Sequence, residues 1–252
     1  EIEVYFDTLV GDLTAKTERA EGKIKYDIDM DFKPVTLSSN ETVCRDITLL
    51  TFEEDIEVKA GEFVFLWIPG VGEKPFSALC DKPLTLVAID VGEFTSSLMT
   101  LTPGTKTYIR GPHGQAVTPS PDQTVIAVAG GTGLAAVYQI ARDFPGAEIF
   151  TGARTAERLY YLDECRQIAN VHVATDDGSA GFKGRVTEDL EQYLSGLDTA
   201  ALENLIFYNC GPEPMVRAAI ELERRFVADD QIFSAIDYLT KCGVGICGAC
   251  AA

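Results

Sequence analysis

The chain has 252 residues, 46% of them hydrophobic and 24% charged, which is enough for one large or two medium-sized globular domains with a proper core. Its 21 basic and 39 acidic residues give a net charge of −18, and such a surface repels the phosphate backbone of nucleic acids. No apolar run is long enough to predict a membrane span. Seven cysteines, three of them clustered, suit a reducing interior, so we expect a cytoplasmic protein.

The first part of the chain predicts β structure. Residues 1–34 are polar and charged, and their alternating stretches EIEVYF and KIKYDIDM can pair as strands. We treat these residues as an extension without an assigned role. Over residues 35–117, turns separate the β-rich runs VTLSSN, DITLLTFEE, GEFVFLWIPG, LTLVAID and KTYIRGPHG. Strands at this spacing predict a small antiparallel barrel or sandwich.

After TPSPDQ the pattern changes to buried strands that alternate with helices. TVIAVAG is a continuous apolar strand that leads into a helix, and helical patterns separate the further strands AEIFTGART, VHVATDDG and LIFYNCGPEPM. This alternation predicts a doubly wound parallel sheet over residues 118–228.

Glycines and polar residues follow these predicted strands, at the sheet edge where ligands bind in open α/β folds. The run from Gly130 through Gly131 and Thr132 to Gly133 opens a helix, where backbone amides and the helix dipole suit a pyrophosphate. A tight turn without a ligand is the alternative. Later strands are followed by Arg154 and Thr155, by Asp176 and Asp177, and by Cys210, Gly211 and Pro212. Together these positions predict a nucleotide site, although each residue alone also has a structural explanation.

The segment 229–252 carries Cys242, Cys247 and Cys250 with the spacing C-x4-C-x2-C, the first part of the plant-type 2Fe–2S pattern. Thiolates are soft ligands for iron, and the interspersed glycines let the backbone approach a cluster closely. A zinc knuckle or three unrelated thiols are the alternatives, but zinc sites usually pair two C-x2-C units. We expect the fourth ligand to come from residues beyond 252, with Cys44, Cys80, Cys165 or Cys210 as a fallback.

In this order, the stretches GEKPFS, GPHGQ, AGGTGLAAV, TGARTAERLYYLDE, ATDDGSAGFKG, NCGPEPM and KCGVGICGAC resemble the ferredoxin–NADP reductase superfamily. Within it, they are most similar to the electron-transfer subunits of dihydroorotate dehydrogenase B. The resemblance covers roughly residues 35–252. It implies FAD on a barrel of residues 35–117, NAD on the α/β domain of residues 118–228, and a 2Fe–2S cluster in residues 229–252.

The resemblance also implies roles for individual residues of the barrel. The family's flavin motif Arg-Pro-x-Ser corresponds to Lys74–Ser77, where Lys74 keeps the charge but loses the bidentate fork of an arginine. Relatives commonly carry an aromatic residue and an arginine where this chain reads Ala88-Ile89-Asp90, and a Gly-Thr pair where it reads Phe94-Thr95. The implied flavin-binding positions are Lys74, Pro75, Phe76, Ser77, Ala88, Ile89, Asp90, Thr95 and Gly111.

In the nucleotide half, the resemblance places Cys210 beside the reacting nicotinamide ring and makes it the one expected catalytic residue. It also adds Met215 to the cofactor contacts. We expect His113 and His172 to be structural. NAD is favoured over NADP because the carboxylates of Asp176 and Asp177 would bind a free ribose hydroxyl and repel a 2′-phosphate, whereas Arg154 would attract one.

The implied function is that of an electron-transfer subunit in pyrimidine biosynthesis. In the resembled enzyme, electrons leave dihydroorotate at an FMN in a catalytic partner subunit and reach NAD through the cluster and FAD. We therefore expect a hetero-oligomer and no substrate acid or base in this chain. The same module in a sulfhydrogenase, a sulfite reductase or a bifurcating ferredoxin–NAD(P) reductase is the alternative, and a zinc-stabilised, non-redox binding protein is an alternative of another class.

Overall fold

The computed structural model describes residues 18–20, 23–25, 31–235, 240–244 and 247 of the chain. The first two strands, β1 (Glu18–Ala20) and β2 (Lys23–Lys25), form a small antiparallel sheet. The predicted stretch KIKYDIDM thus begins with a strand, and its partner is residues 18–20. The stretch EIEVYF lies outside the described residues.

A seven-stranded antiparallel sheet with the order β6-β5-β9-β3-β4-β8-β7 follows. Its edge strands β6 and β7 are joined by Ser77 alone, so the chain passes directly from one edge of the sheet to the other, as expected for the predicted barrel. A short helix, α1 (Glu93–Met99), precedes the last strand. The strands are β3 (Lys33–Cys44), β4 (Ile47–Phe52), β5 (Glu62–Ile68), β6 (Gly72–Phe76), β7 (Ala78–Asp81), β8 (Leu84–Ile89) and β9 (Lys106–Gly114).

Side chains alternate between the two faces of each strand, and the apolar side chains on the inner face fill the barrel. In β5, Val64, Leu66 and Ile68 join the apolar core of the barrel, whereas Phe65 and Trp67 lie on the opposite face of the strand. The five predicted runs correspond to β3, β4, β5, β8 and β9. The sequence analysis did not predict β6, which contains Pro75. An edge strand tolerates proline because one row of its backbone groups needs no partner.

The second half is a six-stranded parallel sheet with the order β13-β12-β11-β10-β14-β15, which confirms the predicted doubly wound fold. Its strands are β10 (Thr124–Gly130), β11 (Glu148–Ala153), β12 (Asn170–Thr175), β13 (Phe182–Lys183), β14 (Leu205–Cys210) and β15 (Ile232–Ala235). Its helices are α2 (Leu134–Asp143), α3 (Leu162–Ile168), α4 (Val186–Ser195), α5 (Thr199–Glu203) and α6 (Glu213–Glu223).

The last strand of the parallel sheet lies beyond the predicted bounds of the α/β domain, residues 118–228. Strand β15 pairs in parallel with β14, so residues 232–235 complete this sheet, whereas the sequence analysis assigned them to the cysteine segment of residues 229–252. The domain boundaries stay predictions. Within the described residues, no helix is long and apolar enough to cross a membrane.

A shared apolar core joins the two sheets. Val137 and Ile140 of α2 pack with Leu79 of β7 and Val87 of β8 in one cluster of buried side chains. Polar contacts support this interface, since the amide of Gln139 donates to the Val58 carbonyl and Arg142 pairs with Asp81 at 2.9 Å. The barrel and the parallel sheet are therefore packed as one body, and β8 contacts the turn of residues 131–133 that follows β10.

Candidate functional site

The candidate site lies where the order of the parallel strands reverses, between β10 and β14. Ligands of open α/β sheets bind at this point, outside the carboxyl ends of the strands. Strand β10 runs into a single 3-10 turn, Gly131–Gly133, and then into α2, while β14 ends at Cys210. A Cβ atom added at Gly133 would overlap with the carbonyl of Cys210, so the two loops pack backbone against backbone.

The open side of this turn is at Gly131. Its φ of 54° is in the left-handed region that favours glycine, and no described atom lies within 4 Å of the place where its Cβ would be. The neighbouring Gly130 is packed instead, because its Cβ would lie 2.6 Å from the sulfur of Met215. An open backbone turn at the start of a helix fits the predicted pyrophosphate. The structure thus brings the predicted glycine run together with Cys210 and Met215.

Polar residues of the next two strands meet at the same edge. The amide of Asp176 donates to the Ala153 carbonyl at 3.1 Å, which joins the loop after β12 to the end of β11. Asp177 accepts hydrogen bonds from the amide and hydroxyl of Ser179 at 2.9 and 2.6 Å, and these bonds lower the pKa of the Asp177 carboxyl. Asp176 and Arg154 are exposed beside it. Of the two acids, Asp177 is engaged within its own loop.

Strand β8, which carries predicted flavin positions, adjoins this edge, and α1 packs against β8. Strand β8 contacts the Gly131–Gly133 turn, and Ala88 of this strand is buried in the barrel core. Asp90 accepts a hydrogen bond from the hydroxyl of Ser96 at 2.6 Å. The hydroxyl of Thr95 accepts from the Gly92 amide at 3.0 Å and so stabilises the start of α1. These contacts give Asp90 and Thr95 a structural role that the sequence analysis missed, and their contact with FAD stays a prediction.

The other flavin positions lie on the unpredicted strand β6 and on β9. Lys74 is exposed in β6, and Phe76 packs against Phe94 of α1 with ring centroids 6.3 Å apart. Gly111 is buried in β9 with a φ of 117°, where its Cβ would lie 3.0 Å from the ring of His113. Lys74 therefore presents an exposed charge on β6, whereas Gly111 on β9 has little room for a side chain.

Arg110 is a residue of this region that the sequence analysis missed. It directly precedes the GPHG run, which is the local signal that could have pointed to it. The residue is 2% exposed, and its guanidinium donates to the Glu73 carboxylate at 3.1 and 3.3 Å. It also donates to the carbonyl oxygens of Cys242 at 2.6 Å and Lys241 at 3.3 Å. These bonds place the first predicted iron ligand against β9 of the barrel.

The predicted cluster ligands are only partly described. Cys242 is half-buried, Cys247 is exposed, and Cys250 lies outside the described residues. No group of three metal-ligating side chains comes together in the part of the chain that the structure describes, so the cluster site stays a prediction. The fallback ligands Cys44, Cys80, Cys165 and Cys210 all pack in or against the core between the two sheets. That location offers no support for any of them as the fourth ligand.

The two histidines differ in their surroundings. His172 bonds to Glu148 at 2.9 Å and stacks on Phe150 with ring centroids 4.1 Å apart, within the parallel sheet. The Nε2 atom of His113 lies 3.1 Å from the Arg110 guanidinium. Neither position contradicts the expectation that both residues are structural.

Comparison with known proteins defines the class of this chain. A family model described as the oxidoreductase NAD-binding domain matches residues 127–221, from β10 into α6. A solved NADH-dependent reduced ferredoxin-NADP oxidoreductase, studied for flavin-based electron bifurcation, superposes with a TM-score of 0.72 at 25% identity, covering 86% of this chain and 80% of its own. A ferredoxin reductase of carbazole 1,9a-dioxygenase has the same fold, with a TM-score of 0.70 at 19% identity over 82% of this chain and 70% of its own. The chain is thus an oxidoreductase with an NAD-binding domain and the fold of the ferredoxin reductases.

Relatives in sequence narrow this class to one family. A probable dihydroorotate dehydrogenase B (NAD(+)) electron transfer subunit of Methanocaldococcus jannaschii is 37% identical over 224 residues, 86% of this chain and 83% of the relative. Its counterpart in Pyrococcus abyssi is also 37% identical, over 222 residues and the same shares of the two chains. The chain belongs to this family of dihydroorotate dehydrogenase B electron-transfer subunits.

Proposed function

We propose that this chain passes electrons between a catalytic redox subunit, a 2Fe–2S cluster, FAD and NAD, and that the catalytic subunit is an FMN-containing dihydroorotate dehydrogenase of pyrimidine biosynthesis. One observation carries the proposal: the barrel contacts both other predicted cofactor regions. Its strand β9 holds the Cys242 carbonyl through Arg110, and its strand β8 contacts the Gly131–Gly133 turn. When bound, a flavin can exchange a hydride with a nicotinamide and single electrons with a cluster, so it belongs between them.

The residues of the nucleotide half would bind and orient the nicotinamide cofactor. The open backbone at Gly131 would accept the pyrophosphate, and the exposed Asp176 would accept a hydrogen bond from the ribose. Cys210 ends β14 against this turn, which is consistent with its proposed place beside the nicotinamide ring. On the barrel, the exposed charge of Lys74 would face the FAD phosphates.

The proposed assembly is a hetero-oligomer with the catalytic subunit. It is supported by the description of the relatives as electron transfer subunits, since such a subunit needs a donor or acceptor protein. We place it in the cytoplasm, because seven cysteines, three of them clustered near the end of the given sequence, suit a reducing compartment better than a disulfide framework.

A second candidate function is a bifurcating ferredoxin–NAD(P) reductase. The superposition with the NADH-dependent reduced ferredoxin-NADP oxidoreductase favours it, at 25% identity over 86% of this chain. The higher identity of 37% to the dihydroorotate dehydrogenase subunits favours the first function. The identity of the co-purifying subunit separates them: an FMN protein that oxidises dihydroorotate supports the first, and a partner that lacks this activity supports the second.

The cluster is tested by replacing Cys242 or Cys247 with Ser. Each variant should lose the EPR signal of the reduced cluster because a hydroxyl is a poor ligand for iron, while FAD should remain on the separate barrel. The matched control is Cys44→Ser, in the core between the sheets, which should keep the signal. A full signal in both cysteine-segment variants would remove these residues from the cluster, and zinc in place of iron would favour the non-redox alternative.

A further inference from the structure

The guanidinium of Arg110 has an unusual environment for a charged group, because its side chain is only 3% exposed. A buried charge is costly unless it is paired and its hydrogen bonds are satisfied. Arg110 meets both conditions. Its charge is paired with Glu73, whose side chain is 33% exposed, and the guanidinium carbon lies 3.9 Å from the centre of the Phe65 ring.

The hydrogen bonds of Arg110 divide into two groups. On the barrel side, Nε and Nη2 donate to the two carboxylate oxygens of Glu73, and Nη1 lies 3.1 Å from Nε2 of His113. On the other side, Nη1 donates to the carbonyl of Cys242 and Nη2 to that of Lys241. An arginine has five N–H groups, and these contacts account for all of them. The side chain therefore spans the barrel and two successive peptide groups of the cysteine segment.

The next residue of the segment is packed as closely. Gly243 has a φ of 79°, and an added Cβ would lie 2.8 Å from the Phe65 ring and 3.0 Å from the His113 ring. Phe65 and His113 are the same side chains that surround Arg110. The backbone of residues 241–243 is thus held by Arg110 on one side and by an aromatic surface on the other.

We propose that Arg110 is a positioning residue that docks the cysteine segment on the barrel and so sets the place of Cys242 relative to the flavin-binding strands. The docking follows from the contacts of Arg110. That the docking promotes electron transfer between cluster and flavin rests on the proposed function. Lysine cannot replace it, because an ammonium has three donors on one atom and no planar fork to span Glu73 and two carbonyls.

Limited proteolysis of the protein as isolated tests the docking. Trypsin cleaves after Lys241, whose carbonyl Arg110 holds, and cleavage releases a fragment that begins with Cys242. We expect Arg110→Lys to accelerate this cleavage at least about tenfold and Arg110→Met more, because hydrogen bonds to a charged group are lost. The matched control is Arg224→Lys, an exposed arginine paired with Asp229 on the surface, which should cleave as the wild type does.

Cleavage after the exposed Lys106 and the thermal midpoint show whether each variant is folded. Arg110→Lys keeps the charge beside Glu73. If Arg110→Met does not fold, the cleavage rate of Arg110→Lys alone tests the docking. Unchanged cleavage after Lys241 in a folded Arg110→Lys variant would overturn the proposal. A second readout is the rate at which the NADH-reduced flavin passes an electron to the cluster, which should fall while the iron content stays the same.

These readouts separate the docking from the proposed function. Faster cleavage in the variants of a protein that holds no iron supports the docking and refutes the proposed function. A wild type that holds the cluster, with cleavage that does not depend on Arg110, refutes the docking and leaves the proposed function standing.

Discussion

Glu223 is a buried acid that the proposed electron transfer does not use. It lies on α6 with no exposed surface, and burial raises the pKa of its carboxyl to about 7, although a hydrogen bond from Asn209 at 2.8 Å opposes this shift. Among the described residues, Oδ1 of Asn209 and Oε1 of Glu223 have no hydrogen-bond partner. A protonated Glu223 has the O–H group that such a pair needs, so we infer that this residue is neutral below about pH 7.

Replacing Glu223 with Gln should therefore change how stability depends on pH. The folded pKa of about 7 lies above the unfolded value of 4.5, so the folded state binds the proton more tightly. The contribution of Glu223 is most favourable below the unfolded pKa and is lost as the pH rises through the folded pKa, by roughly 3 kcal/mol. In Glu223→Gln this pH-dependent loss of stability should be absent, because an amide does not titrate. Urea unfolding at about pH 5 and about pH 8 gives the free energy of unfolding of the wild type and of the variant. If the difference between the two proteins is the same at both pH values, Glu223 does not titrate in this range.

At the scale of elements, we expect the loops after β11 and β12 to determine the choice between NAD and NADP. Ser179 engages Asp177, whereas Asp176 is exposed beside Arg154 and is the acid available to a ribose. We expect kcat/KM to be higher for NADH than for NADPH, since a carboxylate repels the additional phosphate. Asp176→Ser should lower the ratio of the two kcat/KM values by about tenfold. Steady-state assays with an artificial acceptor measure both ratios.

The control for this prediction is Asp122→Asn, in the turn that enters β10 at the opposite edge of the sheet, which should leave the ratio unchanged. A wild-type preference for NADPH would show that Arg154, rather than Asp176, faces the ribose.

At the scale of the whole molecule, the barrel and the parallel sheet should unfold together. They share one apolar cluster, and the pair Arg142–Asp81 crosses between them. Trp67, the sole tryptophan, reports on the barrel, and every described α-helix except α1 belongs to the half of the chain that forms the parallel sheet. We expect the midpoints from tryptophan fluorescence and from helix circular dichroism to coincide in thermal unfolding. A helix signal that disappears at a clearly different temperature would show two independent units.

The sequence by itself determined the elements whose signals are local. Continuous apolar runs such as TVIAVAG predict buried parallel strands, because both faces of such a strand are covered. The carboxyl ends of these strands then bring Gly131, Asp176 and Cys210 to one edge whatever the details of packing. The C-x4-C-x2-C spacing is a local signal of the same kind, and the prediction of the cluster rests on it.

Only the tertiary structure decided the features that depend on partners distant in the chain. Strand β6 contains Pro75 and is a strand because β5 pairs with it, and β15 belongs to the parallel sheet because β14 lies beside it. Arg110 and Cys242 are 132 residues apart. No local pattern of charge or hydrophobicity encodes their contact, because it exists only once the barrel has closed and the chain has returned to it.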